Sequence, residues 1–263
     1  MQTTASIEIA RDPAVQYVLR IGDTCLVLGQ RLAEWCGHAP VLEEDIALAN
    51  MALDLVGQAR ALLTHAGALE GRGRDRVYGE DDLAFLRDER DYLNVTLVEL
   101  PRGDFAFTVL RNLMLATFLE LLWRRLAESS DAELAAIAGK AVKEARYHRQ
   151  HAADWVVRLG DGTDESRRRS VAALAELWRY TPELFESDAV DEAAQASGLG
   201  PRWADLREPW LAEMKTVLDE AGLEAPAESA FRSTGKLGRH SEHMGYILAD
   251  MQYLQRAFPG GVW

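Results

Sequence analysis

The chain lacks an excess of positive charge. Its 263 residues carry 29 Lys and Arg against 42 Asp and Glu, which gives a formal net charge of -13 at pH 7. Proteins that bind nucleic acid without specificity normally present a basic face to the phosphates. The composition therefore excludes a general nucleic-acid binder, and any anionic ligand must meet a local cluster of cations.

Long apolar runs are also missing from the sequence. No uninterrupted apolar stretch approaches the roughly 20 residues that a helix needs to cross a bilayer. The N-terminal segment carries Glu8, Arg11 and Asp12, where a secretory signal peptide would require apolar residues. We therefore expect no membrane partner and a cytoplasmic location.

Cysteine is scarce, and the familiar catalytic motifs are absent. Cys25 and Cys36 are eleven residues apart, which on one helix is about 16 Å, too far for a disulfide. We expect both to be small buried side chains. The sequence contains no glycine-rich phosphate loop, no Gly-x-Ser-x-Gly and no Cys-x-x-Cys, so nucleotide-binding loops, serine hydrolases and dithiol sites are unsupported.

What the sequence does contain is helical periodicity, most clearly in a hairpin from Arg20 to Gly67. Two segments repeat apolar residues at three- and four-residue steps, which is typical of helices with one buried face. Gly37 and Pro40 interrupt the pattern and predict a turn between two antiparallel helices. The apolar positions are Val27, Leu28, Leu32 and Trp35 in the first segment, and Ile46, Ala49, Leu53, Val56 and Leu63 in the second.

The remaining periodicity predicts helices throughout, and no segment alternates like a strand. Four long helices with a connection of about 35 residues are typical of a bundle with one long crossover. We therefore predict an all-α fold, a ferritin-like four-helix bundle with additional C-terminal helices. We expect a single domain over 1–263, with the core bundle at about 12–160 and extra helices at about 163–258. A generic bundle or a solenoid is the alternative, although no internal repeat supports the solenoid.

The helices predicted beyond the hairpin differ in apolar content. The one that begins at Phe105 is apolar on most sides, and we expect it to be the most buried. The predicted helices other than the hairpin span about 81–94, 105–128, 131–159, 164–185, 205–221 and 241–258, with a weak region at 187–201.

A ferritin-like di-iron centre requires one Glu from each of two helices and a Glu-x-x-His pair from each of the other two. None of the six histidines has Glu or Asp three positions earlier, and the apolar helix after Phe105 has no carboxylate before Glu120. The residual candidates for a metal site are Glu144, His148 and His151 with Asp54. Without a second carboxylate pair they form an incomplete site for a hard metal, and buried or surface hydrogen bonding is the alternative interpretation.

Two further groups of residues are candidate binding sites. Lys236, Arg239 and His240 precede the last predicted helix, where a phosphate could meet backbone N–H groups, and such residues also serve as ordinary capping residues. Trp35 and Leu53 lie on the hairpin, and aromatic and apolar side chains of this kind anchor protein interfaces. We expect these two residues to contact a partner protein.

The chain resembles one family specifically, over most of its length from Tyr17 onward. The matching segments include LRIGDTCLVLGQRLAEWCGHAP, LANMALDLVGQARALLTHAG, EDDLAFLRDER, KEARYHRQHAADWVVRLGDGTDES, LWRYTPELF and GRHSEHMGYILADMQYLQRAFPG. These segments are similar to the structural subunits of the bacterial multicomponent oxygenases that act on phenylacetyl-CoA, the phenylacetyl-CoA 1,2-epoxidases. One departure is the apolar sequence around Ala116, where an acidic residue is common in the family.

The resemblance implies a ferritin-like, noncatalytic subunit with a degenerate di-iron site. Such a subunit pairs with a related catalytic subunit, which holds the di-iron centre and binds the CoA thioester. The complex uses O₂, and electrons from an NADPH-dependent reductase, to convert the aromatic ring to a 1,2-epoxide in phenylacetate catabolism. This chain would bind no cofactor itself. The alternatives are an independent metal-dependent oxidase and a CoA-thioester-binding module.

Overall fold

The computed structural model describes residues 6–261, and within this range the chain forms nine α-helices and no strand. The one β-bridge in this range is isolated and joins Thr234 to Arg239. The all-α prediction is therefore confirmed. The helices are α1 (Pro13–Ala33), α2 (Leu42–Glu70), α3 (Glu80–Phe85), α4 (Phe105–Leu126), α5 (Ala132–Gly160), α6 (Asp164–Trp178), α7 (Ala189–Ser197), α8 (Arg207–Glu220) and α9 (Glu242–Ala257).

The four long helices form two hairpins that pack against each other. Helix α1 packs along α2, α4 packs along α5, and α2 contacts α5 across the bundle. Two glycines of α1 allow its close approach to α2, because a Cβ added at Gly22 would lie 3.3 Å from the Leu62 Cβ and one at Gly29 would lie 3.2 Å from Val56 Cγ2. A long crossover joins α2 to α4, as in the ferritin-like arrangement.

Helix starts and turns follow ordinary capping chemistry. The carboxylates of Asp12, Asp104 and Asp131 accept hydrogen bonds from backbone N–H groups in the first turns of α1, α4 and α5, which satisfies donors that a helix start otherwise leaves unpaired. Gly37, at φ 76°, provides the left-handed residue in the turn between α1 and α2. These residues fix where the bundle helices begin.

Helix α4 forms the buried centre of the bundle, as its sequence predicted. Length and composition alone would let α2 and α4 cross a membrane. For α4, however, 89% of its most apolar stretch is buried inside the protein, so the core of the bundle accounts for that apolarity. Core helices of globular proteins satisfy the same length and composition criteria, and two such helices are weak evidence for a membrane span.

The C-terminal helices cover the bundle from several sides. Helices α6 and α8 pack on α4 and α5, α7 packs on α1, and α9 packs on α3. Buried tryptophans join these layers: Trp210 Nε1 donates to the Met114 carbonyl at 2.8 Å, and Trp203 packs edge-on against Phe118 at a ring distance of 5.0 Å. The additional helices therefore share buried contacts with the four-helix core.

Several sequence-based boundaries were wrong. The predicted helix at 81–94 ends at Phe85, and the fully buried Arg87 lies in the segment that follows it. The helix predicted to reach 185 ends at Trp178 and is followed by a short turn of 3₁₀-helix at Thr181–Phe185. Cys36 lies beyond the end of α1 and is exposed, whereas Cys25 is buried as expected.

The segment after Ser187, which showed only a weak pattern, contains α7. This short helix is bounded by Asp188, whose carboxylate caps its start, and by Gly198, which is left-handed at φ 75°. Local capping thus defines a helix that apolar periodicity did not reveal.

The apolar residues that repeat along α2 do not all lie on the face that packs into the core. Ile46 and Leu53 are 54% and 69% exposed. Because α2 is apolar on more than one side, periodicity did not identify the face that enters the core. The side chains that α2 buries include Leu48, Met51, Ala52, Leu55, Ala59, Leu62 and Leu63.

Candidate functional site

Polar side chains of α2 and α5 meet in pairs where the two hairpins face each other. Each pair takes one residue from each helix, and the pairs follow one another along the helix axes because the α2 members are separated by ten and four residues. The pairs are Glu44 Oε2 with His151 Nε2 at 2.8 Å, Asp54 Oδ2 with His148 Nε2 at 3.0 Å, and Gln58 Nε2 with Glu144 Oε2 at 2.9 Å.

The His148 imidazole is held between burial and a neighbouring carboxylate. Its side chain is 6% exposed, and this burial lowers the pKa of His148, while the hydrogen bond and charge of Asp54 oppose the shift. Since the net shift is downward, the ring is mainly neutral at pH 7. Its Nε2 atom is then a hydrogen-bond donor to Asp54.

Toward the bundle centre, the Gln58–Glu144 pair continues to α1. The Cys25 thiol lies 3.6 Å from Gln58 Oε1, so one side-chain amide links α1, α2 and α5. Burial raises the pKa of the Cys25 thiol, which keeps it protonated. On α4, the side chain of Ala116 has no polar atom that could join this network. The neighbouring Thr117 donates from Oγ1 to the Leu113 carbonyl of its own helix.

This donor set does not fit a di-iron centre. Such a centre requires four carboxylates and two histidines that point at one place in the bundle. Within residues 6–261, no three His, Cys, Asp or Glu side chains are grouped so that they could hold a metal ion. The four candidates named from the sequence, Glu144, His148, His151 and Asp54, lie on facing helices, but they are divided among separate hydrogen-bonded pairs.

The first acidic residue of α4, Glu120, is paired with arginines and, within the described residues, does not face a metal site. Glu120 is 2% exposed and its carboxylate accepts hydrogen bonds from Arg146 at 3.3 Å and Arg149 at 2.6 Å, and also pairs with Arg124. Burial alone would raise the pKa of Glu120, but the hydrogen bond and charge of Arg149, with the other arginines, lower it. This carboxylate ties α4 to α5.

The three residues proposed for phosphate binding do not converge. The Lys236 ammonium group is buried, bonds to the Glu186 carbonyl and lies 3.9 Å from Asp191. His240 points in a different direction, with Nδ1 2.6 Å from Glu99 Oε1 and Nε2 3.0 Å from the Tyr92 carbonyl. Arg239 is exposed. Lys236 and His240 are therefore engaged inside the chain.

Buried charge networks in the second half of the crossover were not predicted from the sequence. Glu99 is fully buried. Its Oε1 accepts hydrogen bonds from Asn94 and His240, and its Oε2 accepts them from the backbone N–H and hydroxyl of Ser241. Asp23 of α1 pairs with Arg87. A sequence signal for this pair was present, because Asp23 is the one acidic residue of α1 and lies among its apolar residues, and a buried carboxylate needs a partner.

The two proposed interface residues differ in exposure. Trp35 is 6% exposed, donates from Nε1 to Thr108 Oγ1 at 2.9 Å and packs edge-on against Phe105. Its side chain therefore offers little area to a partner. Leu53 is 69% exposed and belongs to a set of apolar residues spaced by four, three and four residues, which places them on one face of α2. This outer row consists of Leu42, Ile46, Ala49 and Leu53.

Comparison with known proteins identifies relatives of the whole chain. The model of the family described as phenylacetic acid catabolic protein matches residues 1–263. A subunit of the 1,2-phenylacetyl-CoA epoxidase of Escherichia coli (strain K12) is 51% identical over 247 residues, which cover 94% of this chain and 98% of that protein. The similarity extends over the bundle and the additional helices alike.

Proposed function

Because the chain belongs to the phenylacetic acid catabolic protein family, we propose that it is a noncatalytic, structural subunit of a phenylacetyl-CoA 1,2-epoxidase complex. In this role it pairs with a related catalytic subunit that holds the di-iron centre, and it stabilises that subunit. The reductase that supplies electrons from NADPH acts on the complex and not on this chain alone.

The observation that carries the proposal is the outer row on α2. Leu42, Ile46 and Leu53 are between 54% and 70% exposed, although apolar side chains of this size are usually covered. Scattered exposed apolar residues need no explanation, but a set aligned on one helix face indicates a contact surface. The covered centre of a protein interface is apolar, with a polar rim.

The α2–α5 pairs support the noncatalytic part of the proposal. Glu44, Asp54 and Gln58 each bind a different side chain of α5, so these polar residues cross-link the two hairpins. A bundle held together in this way is a rigid surface for a partner, because opening it would break several partly buried polar contacts. In this proposal, these side chains hold the two hairpins rigidly together and take no part in catalysis.

A physical reason for such a subunit follows from the chemistry in the catalytic partner. A bundle that opens to admit a large CoA thioester exposes apolar helix faces. Covering those faces with a second bundle of similar shape would restrict the opening. Long-lived interfaces of this type are large and apolar.

Binding of the purified catalytic subunit to variants of this chain tests the proposal. We expect Ile46→Glu/Leu53→Glu to weaken complex formation at least tenfold in a titration followed by analytical ultracentrifugation, because two charges would enter an apolar contact. The matched control is Val171→Glu on α6, where a valine is 51% exposed outside the row. It should bind like the unmodified chain.

Equal binding by the row variant and the control would contradict the assignment of this surface. If the unmodified chain itself formed no complex with the catalytic subunit, the proposed function would fail.

A further inference from the structure

We propose that a cavity beside the first half of α1 binds a phosphate group. The cavity has a volume of about 290 Å³ and lies between α1, the 3₁₀ turn Glu89–Asp91 and the 3₁₀ turn Gly235–Leu237. The inference is independent of the pairing with a catalytic subunit. It keeps Lys236 from the sequence-based site but replaces its other members. The charged residues that line the cavity are Arg11, Arg20, Arg90, Lys236 and Asp91.

The charge of the cavity wall is opposite to that of the protein. Four cationic side chains and one acid line a single space in a chain whose formal net charge is -13. Behind the wall, Asp188 and Asp191 offset part of this charge, because they pair with Arg20 and Lys236. Counting these two acids as well, the cluster still carries one more positive charge than negative. Arginine and lysine are the residues that recognise phosphate oxygens.

Arg20 supplies a donor that this chain does not use. The residue is 2% exposed, and its two terminal nitrogens bond to Asp188 and Asp191. Its Nε atom is buried and has no hydrogen-bond partner within the described part of the chain. Buried N–H groups are almost always paired. A phosphate oxygen in the adjoining cavity is a suitable acceptor.

Two further guanidinium groups at the cavity are not engaged by acids. Arg11 and Arg90 are exposed, and neither forms an ion pair with another residue of 6–261. The one acid in the wall, Asp91, is already an acceptor for the Ser6 hydroxyl and for the Asp88 N–H, each at 3.2 Å. Two cationic groups without an acidic partner in this range therefore face one carboxylate whose oxygen is already hydrogen-bonded.

The backbone holds the two turns of the cavity wall together. Gly238 is left-handed at φ 75°, and a Cβ added there would lie 2.4 Å from the Arg90 carbonyl oxygen. Only glycine accommodates both the conformation and this close approach. The turn that carries Lys236 is thus packed directly on the turn that carries Arg90, which fixes their spacing before a ligand binds.

The size of the cavity limits the ligand. Sites for small molecules usually have volumes of roughly 300–1,000 Å³, so 290 Å³ suits a phosphate or diphosphate group rather than a whole nucleotide cofactor. Two sources share this chemistry. One is the phosphate-bearing end of a CoA thioester, and the other is free phosphate or diphosphate.

Isothermal titration calorimetry of the full chain at low ionic strength tests the site, with diphosphate and CoA as separate probes. We expect diphosphate to bind, and Arg11→Gln/Arg90→Gln to weaken its binding at least tenfold, because two charge-assisted contacts are lost. Both side chains are exposed, so the substitutions should leave the fold intact. Circular dichroism checks this point.

The control variant is Arg239→Gln, which removes an exposed arginine close in sequence to Lys236 that does not line the cavity. Its affinity for diphosphate should stay within twofold of that of the unmodified chain. Tighter binding of CoA than of diphosphate would identify the thioester as the source, and equal binding would identify free phosphate. An unmodified chain that binds neither probe, or an equal loss in the control, would overturn the proposal.

Discussion

Asp23 of α1 and Arg87 of the crossover form an ion pair in which neither side chain is exposed to solvent. Arg87 also donates to the Asp91 carbonyl at 2.9 Å, and the second oxygen of Asp23 accepts from the Leu93 N–H at 2.8 Å. The pair therefore fixes the path of the segment that leads from α3 toward α4. The crossover in turn positions Glu89–Asp91, one side of the proposed phosphate cavity.

Removing one member of this pair should destabilise the protein strongly. Arg87→Met leaves the Asp23 carboxylate buried without its cation, and breaking a buried pair in this way typically costs about 3–5 kcal/mol. Urea unfolding followed by circular dichroism measures the loss. Arg60→Met is the control, because Arg60 pairs with Glu80 but is 68% exposed. A similar free energy of unfolding in the two variants would contradict the role assigned to the pair.

His240 should make stability depend on pH above its ordinary pKa of about 6.5. Burial alone would lower its pKa, but the Glu99 hydrogen bond and charge raise it above the ordinary value of about 6.5. The folded protein then binds a proton more tightly than the unfolded chain does. The stability gained is fully present below the unfolded pKa and is lost as the pH rises through the folded pKa. His240→Gln should remove this loss.

The measurement is the free energy of unfolding of each protein across pH 5–9. His148→Gln is the matched control, because burial lowers the pKa of His148, and its contribution is present above the unfolded pKa and is lost as the pH falls. The pH dependence of His240→Gln should thus differ from that of the unmodified chain as the pH rises. The pH dependence of His148→Gln should differ as the pH falls. A profile of His240→Gln parallel to that of the unmodified chain at all pH values would refute the assignment.

Two glycines of α2 should respond oppositely to alanine. Gly57 has no neighbour within 4 Å of an added Cβ, so Gly57→Ala should raise the free energy of unfolding by about 0.5–1 kcal/mol through better helix propensity. At Gly67 the added Cβ would lie 2.0 Å from the Tyr78 carbonyl oxygen. Gly67→Ala must move the backbone of the crossover and should lower stability by about 1–3 kcal/mol. Urea midpoints that shift in the same direction would contradict this packing.

The fold was largely predictable because local signals and burial agree in most helices. Gly37 and Pro40 marked the turn of the first hairpin, and the apolar sequence after Phe105 marked the core helix. The packing face of α2 was not predictable in the same way. Its outer row is as apolar as its inner face, so periodicity did not separate Ile46 and Leu53, which are exposed, from the residues that enter the core.

The candidate sites were predicted only in part because side-chain pairing is a tertiary property. Glu144 and His148 were recognised as one cluster on α5. The sequence did not show that Glu144 would bond to Gln58 and His148 to Asp54. Likewise, Arg239 and His240 adjoin Lys236 in sequence, whereas Arg11, Arg20 and Arg90 adjoin it in space. No spacing rule connects residues that are more than 140 positions apart.

The noncatalytic assignment is tested by the iron content of this chain, alone and in complex with the catalytic subunit, after anaerobic loading with ferrous iron and desalting. We predict almost no iron in the isolated chain and about two iron atoms per catalytic subunit in the complex. We further predict that Glu144→Gln/His148→Gln leaves the iron content of the complex unchanged, because these side chains bind no iron. About two iron atoms retained by the isolated chain, and lost in that variant, would show instead that this subunit has a di-iron centre of its own.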